Sequence, residues 1–83
     1  SILETKNRSL IFCMLKQLKN IFNLHIDTYL VCLKVIGILK FNGDSSLCQQ
    51  VAAIVCLMVQ KMHESYKVAF RDMEIWTDGK LTR

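Results

Sequence analysis

Not one of the 83 residues is proline, and the only glycines are Gly37, Gly43 and Gly79. These two residue types are the ones that most sharply end helices and strands. A chain almost without them runs in long uninterrupted segments, and long segments favour helices. In the first segment Leu10, Ile11, Met14, Leu15, Leu18, Ile21 and Phe22 return at three- and four-residue spacing, the rhythm of one apolar helix face. Lys16, Lys19, Asn20 and Asn23 fall on the opposite side. The pattern predicts a helix over about residues 3–23.

A second helix is predicted over about 28–41, opened by Asp27 or Thr28 as the residue that accepts from the free backbone amides. It is apolar almost all round, interrupted only by Lys34, Gly37 and Lys40, so it is expected to lie between neighbours rather than at the surface. Gly37 costs about 1 kcal/mol of helix propensity against Ala and marks either a close helix approach or a weak spot. Asn42-Gly43 suits the left-handed conformation that ends a helix, and Asp44-Ser45-Ser46 supplies caps for the next. Ser46 and Gln49 match a reciprocal capping box.

The third pattern spans about 46–76, with Val51, Val55, Met58, Met62, Tyr66, Ala69, Met73 and Trp76 as its apolar stripe. It is one long helix unless a break near 63–65 divides it. Asp78-Gly79 reads as a turn in a frayed tail. The expected fold class is therefore all-α: a single helical domain over 1–83 with three to four helices.

Apolar residues make up 52% of the chain before glycine is counted, against roughly 45–50% with glycine included in a typical soluble domain. A domain of this size removes only about 60–65% of its unfolded surface from water, so apolar surface is expected to remain for a partner, a neighbouring unit or a second copy to cover. A start at Ser1 rather than Met fits an excised domain or processed product. Lys34, Gly37 and Lys40 break the longest apolar run short of a membrane span, and the first residues lack the pattern of a secretion signal.

Cys13, Cys32, Cys48 and Cys56 lie in or beside apolar helical stretches, and none forms a Cys-x-x-Cys pair. Buried free thiols, and hence an intracellular setting in cytoplasm or nucleus, are expected. The competing reading is a secreted helical factor with two disulfides.

Displacing the sequence by 43 residues sets Ile11-Phe12-Cys13-Met14-Leu15-Lys16-Gln17 against Ile54-Val55-Cys56-Leu57-Met58-Val59-Gln60, with three of seven pairs identical. A period of 43 falls within the roughly 40–47 residues of HEAT and armadillo units. The stretch from Gly43 to Leu57, an acidic turn leading into a helix with Ala52 and Ala53, resembles the start of an armadillo-type repeat. The resemblance spans some 50 residues; a proline after the first turn is missing and the first helix is longer than usual. It implies a fragment of a helical solenoid, whereas a compact bundle accounts for the same periodicity without a repeat.

Catalysis needs a nucleophile, base or metal among convergent partners. His25 falls in a connection, and His63 follows Cys56 by seven residues, near two helical turns, so that pair can share a face. Two ligands do not make a zinc site, and apolar neighbours suppress ionisation of the Cys56 thiol. Glu64, Asp72 and Glu74 alternate with Lys61, Lys67 and Arg71 as on a solvated face. No phosphate-binding loop or nucleophile elbow occurs. No enzyme activity, cofactor, metal or small-molecule substrate is therefore expected.

The leading expectation is a protein–protein interaction scaffold or adaptor within a larger complex. Tyr66, Phe70, Met73 and Trp76 are either its docking anchors or the closure of its own core. The alternative is a nucleic-acid-binding module using Arg8, Lys16, Lys19 and Asn20, with Lys6, Gln17 and Asn23 nearby. The net charge of +4 permits that without requiring it.

Overall fold

The computed structural model describes residues 2–81; Ser1 and the last two residues of the tail, Thr82 and Arg83, lie outside the described residues. The fold is all-α. Among the described residues four helices follow in order: α1 (Ile2–Phe22), α2 (Ile26–Leu39), α3 (Cys48–His63) and α4 (Phe70–Trp76), with one 3-10 turn (Ser45–Leu47) leading into α3. There is no strand among the described residues. α1, α2 and α3 each touch the other two.

α1 ends where Asn23 turns left-handed (φ 50°), so that the Leu24 amide reaches back to the Lys19 carbonyl at 3.0 Å. Asn tolerates that conformation better than other non-glycine residues, and the buried Leu24 supplies the apolar contact that accompanies such an end. The chain then reverses into α2. His25 caps this helix, its Nδ1 accepting from the Asp27 amide at 3.0 Å, while Thr28 lies fully buried inside it. The cap is therefore neither Asp27 nor Thr28, because the helix begins earlier than the apolar run suggests.

α2 ends at Lys40, which is itself left-handed (φ 51°), and the Asn42-Gly43 pair is not needed for that turn. Gly43 serves space instead. A Cβ there would stand 2.6 Å from the Phe41 ring, so only glycine lets that ring lie over the backbone. Asp44 then caps the 3-10 turn by accepting from the Ser46 amide at 2.9 Å. The Ser46–Gln49 capping box does not form: the Gln49 side chain donates to the Trp76 carbonyl at 3.0 Å.

Asn7, near the start of α1, holds the loop before α3, and Phe22, at the end of α1, lines a cleft with His63, at the end of α3. α1 and α3 therefore run parallel, with α2 antiparallel between their ends. The segments related by the 43-residue shift lie in α1 and α3, but the helices give no evidence for HEAT or armadillo repeats.

The core is Ile11, Leu15 and Leu18 from α1, Cys32 and Ile36 from α2, Cys48, Ala52, Ala53, Val55, Cys56 and Val59 from α3, and Met73 from α4. α3 buries only Val55 of the stripe its spacing suggests. Met58 and Met62 are 65% and 70% exposed, whereas Cys48, Ala52, Ala53 and Cys56 are fully buried. A central helix pressed by several neighbours turns its smallest side chains toward them, because short side chains permit close backbone approach. α2, in turn, is a surface helix on one side: Ile26, Leu30 and Ile38 are exposed, contrary to the expectation that it lies between neighbours.

Three buried polar side chains fasten the irregular segments. Asn7 donates to the carbonyls of Gly43 (2.8 Å) and Phe41 (3.3 Å) and accepts from the Ser45 hydroxyl (2.8 Å), fixing the α2–α3 loop against α1. Gln60 donates to the Val68 carbonyl at 2.8 Å and accepts from the Val68 amide at 2.7 Å. Thr77 donates to the Glu74 carbonyl and accepts from the Leu81 amide, so the chain after α4 is ordered to the buried Leu81 rather than frayed there.

Candidate functional site

The third helical pattern is interrupted at residues 64–69, and the interruption creates the most featured surface of the molecule. α3 stops at His63 because Glu64 turns extended, with φ −95° and ψ 127°. The Glu64 carboxylate then crosses to α2, where one oxygen accepts from the His25 amide at 2.8 Å and from the Thr28 hydroxyl. A carboxylate on the free amides of a helix start is stabilised by hydrogen bonds and by the helix dipole together. Glu64 thus ties the end of α3 to the start of α2. The alternation of acidic and basic residues predicts a solvated face for it instead.

Around this corner Phe22, Asn23, His25, His63, Glu64, Ser65 and Tyr66 line a cleft of about 350 Å³. Both histidines of the chain therefore meet in one place, although 38 positions separate them in sequence. In the His25 ring Nδ1 accepts from the Asp27 amide at 3.0 Å, and the Asp27 carboxylate stands 3.5 Å from the same nitrogen. No group of three or more His, Cys, Asp or Glu side chains among the described residues converges as a metal site would require.

On the other side of the connection lies a groove of about 390 Å³, lined by Leu57, Met58, Gln60, Lys61, Lys67, Val68 and Phe70. The Gln60 pair of hydrogen bonds sets its width by holding Val68 against α3. Lys67 Nζ donates to the Glu64 carbonyl at 3.0 Å. α3 itself contains no Asp or Glu, and its basic residues are Lys61 and His63 in its last turn.

The four anchors chosen from sequence separate. Tyr66 is 94% exposed in the connection and belongs to the histidine cleft; Phe70 is half-buried in the groove. Met73 is fully buried and packs in the core, so it is not available to a partner, and Trp76 is half-buried beside Ile21 and Phe22. Of the basic set, Lys16 and Asn20 are exposed and Arg8 and Lys19 half-exposed along one side of α1.

Of the four cysteines Cys13 is exposed, contrary to expectation, and the other three are buried; all four are free thiols. A hydrogen bond between the Cys32 and Cys56 side chains, together with burial, pushes the Cys32 thiol far above its ordinary range. Burial likewise raises Cys48. These thiols pack as small apolar groups.

What the sequence reading missed is polar: Asn7, Gln60, Glu64 and Thr77. Asn7 was detectable in principle, because it continues the buried positions Ile11, Leu15 and Leu18 at helical spacing. Gln60 stands one helical turn beyond Cys56 on the same buried side. Compared with known protein families, curated proteins and solved structures, the chain matches none of them.

Proposed function

We propose that this chain is a non-enzymatic protein–protein interaction module, a scaffold or adaptor domain that joins its partner through apolar helix faces inside the cell. The observation that carries the reading is apolar surface on an already closed body. Ile38 is 72% exposed, Met62 70% and Ile75 68%, with Ile26, Leu30, Leu39, Leu47, Ile54 and Met58 also exposed. The radius of gyration is 12.0 Å, against about 11.8 Å for a compact chain of this length, so this surface is not produced by an open or unpacked arrangement. Large apolar surface on a closed domain marks interaction sites. No helix among the described residues is long and apolar enough to cross a membrane. The clustered polar groups, notably Glu64, His25, Gln60 and Asn7, are engaged in capping and loop fastening, which supports a structural role for them.

Light scattering across a concentration range, combined with binding of an apolar-surface dye, tests this. Concentration-dependent association or strong dye binding is expected, and Ile38→Glu with Met62→Glu should suppress both while leaving the helical circular dichroism unchanged. A monomer at all concentrations that binds no dye refutes the reading.

A second reading, a nucleic-acid module, draws on Arg8, Lys16, Lys19 and Asn20 sharing one accessible side of α1. It requires binding at low salt that weakens steeply as salt rises and disappears in Lys16→Glu/Lys19→Glu.

A further inference from the structure

We infer that the groove between α3 and the 64–69 connection docks an acidic amphipathic helix of a partner protein. The inference rests on the interaction-module reading and adds the partner's chemistry and the place it occupies. Leu57, Met58, Val68 and Phe70 form an apolar floor, and Lys61 and Lys67 stand among the lining residues. The apolar track does not end at the groove. Ile54, Met58 and Met62 follow one another at four-residue spacing on the exposed side of α3, a ridge about 12 Å long at 1.5 Å per residue. Two turns of a partner helix presenting apolar side chains at three- and four-residue spacing match that length. Methionine side chains, unbranched and polarisable, adapt to such anchors.

Charge selects among the possible occupants. Lys61 has no ion pair or hydrogen bond among the described residues, and Lys67 binds only a backbone carbonyl. The carboxylate nearest in sequence, that of Glu64, is turned away to the α2 start, and that of Asp72 accepts from the Ala69 amide. With no Asp or Glu in α3, the two ammonium groups leave the groove positive, and carboxylates flanking an apolar stripe complement it. A second copy of this chain carries the same net charge of +4 and fits less well. A lipid surface is flat, whereas Val68 and Phe70 are half-buried and sit in a recess that a side chain can enter.

The test measures fluorescence anisotropy of labelled 16-residue peptides with the full chain at low and high salt. One peptide is an amphipathic helix with Leu and Phe on one face and Glu on the other. The second has Lys for every Glu, and the third is the first in scrambled order. The acidic helix should bind saturably and weaken with salt, while the basic and scrambled peptides should not bind. Lys61→Glu/Lys67→Glu should weaken binding about tenfold or more, since exposed pairs are each worth up to about fivefold and reversal adds repulsion. Met58→Glu, on an exposed position, should abolish it with circular dichroism unchanged.

Equal binding of the basic or scrambled peptide, indifference to the lysine reversals, or no binding at all overturns the inference. Binding to phosphatidylserine vesicles that needs the same lysines, without peptide binding, overturns it in favour of a lipid surface. Self-association abolished by Met58→Glu, again without peptide binding, overturns it in favour of a second copy. In that case, and where Met58→Glu alone matters, the interaction-module reading survives; if neither association nor dye binding responds to the apolar variants, that reading falls as well.

Discussion

Gln60→Ala removes the clamp on which both α4 and the groove depend. The side chain is 4% exposed and makes two hydrogen bonds to one residue, at 2.8 Å to the Val68 carbonyl and 2.7 Å from the Val68 amide. A protein hydrogen bond contributes about 1 kcal/mol net, and a buried polar group left without its partner costs about 1–3 kcal/mol. Because Val68 is half-buried, water reaches part of the exposed backbone, and the loss should fall at about 2–3 kcal/mol. In a domain of this length that corresponds to a fall of roughly 10–20 °C in Tm.

The sole tryptophan, Trp76, lies on α4, whereas circular dichroism reports mainly on the longer α1, α2 and α3. Urea unfolding followed by both signals therefore shows how the loss is distributed. Coincident transitions shifted together mean that α4 unfolds with the bundle. A fluorescence transition that moves ahead of the helical one means that residues 64–81 detach first. A shift below about 0.5 kcal/mol in both signals would show that Val68 is held by something other than Gln60, and the account of the groove's width would be wrong.

Other consequences follow from burial and charge. Ala52→Leu should cost about 1–3 kcal/mol in urea unfolding because Ala52 is fully enclosed, whereas Met62→Gln should stay within about 0.5 kcal/mol; equal effects would place α3 in the wrong rotation. With a thiol reagent under native conditions one cysteine, Cys13, should react quickly, and Cys32, Cys48 and Cys56 should react only as the protein opens; a second fast thiol contradicts the packing. Hydrogen bonds from Ser46 hold the Asp44 carboxyl below its ordinary value of 3.8. A depressed folded pKa means that the cap's contribution is complete above that ordinary value and is lost as pH falls through the lower folded one. Wild type should therefore lose more stability than Asp44→Asn on acidification through that window, and parallel pH profiles for the two would remove Asp44 as a cap.

α1 shows how far periodicity carries. Its spacing predicted a helix over about 3–23, the structure places it at Ile2–Phe22, and the buried Ile11, Leu15 and Leu18 all lie on the predicted face. One side of α1 is polar, so only one rotation buries its grease. α3 lacks such a polar side through most of its length. Its spacing was equally consistent with burying Val51, Val55, Met58 and Met62; of these only Val55 is buried, beside Cys48, Ala52, Ala53, Cys56, Val59 and Gln60. α2 failed for the same reason, with Ile38 pointing outward although nothing in its local sequence distinguishes it from the buried Ile36.

Helix content and the approximate stops, then, were set by local chemistry: an absence of proline, few glycines, and apolar residues at the interval of a helical turn. Those signals act within a few residues of one another. Which flank of α2 and α3 stayed dry, where Lys40 took a strained turn, and how Glu64 came to cap a helix nearly 40 positions upstream depended on contacts between segments distant in the chain. Such contacts select among rotations of comparable hydrophobic gain by the fit of small side chains and the pairing of buried polar atoms. Both are properties of the assembled bundle.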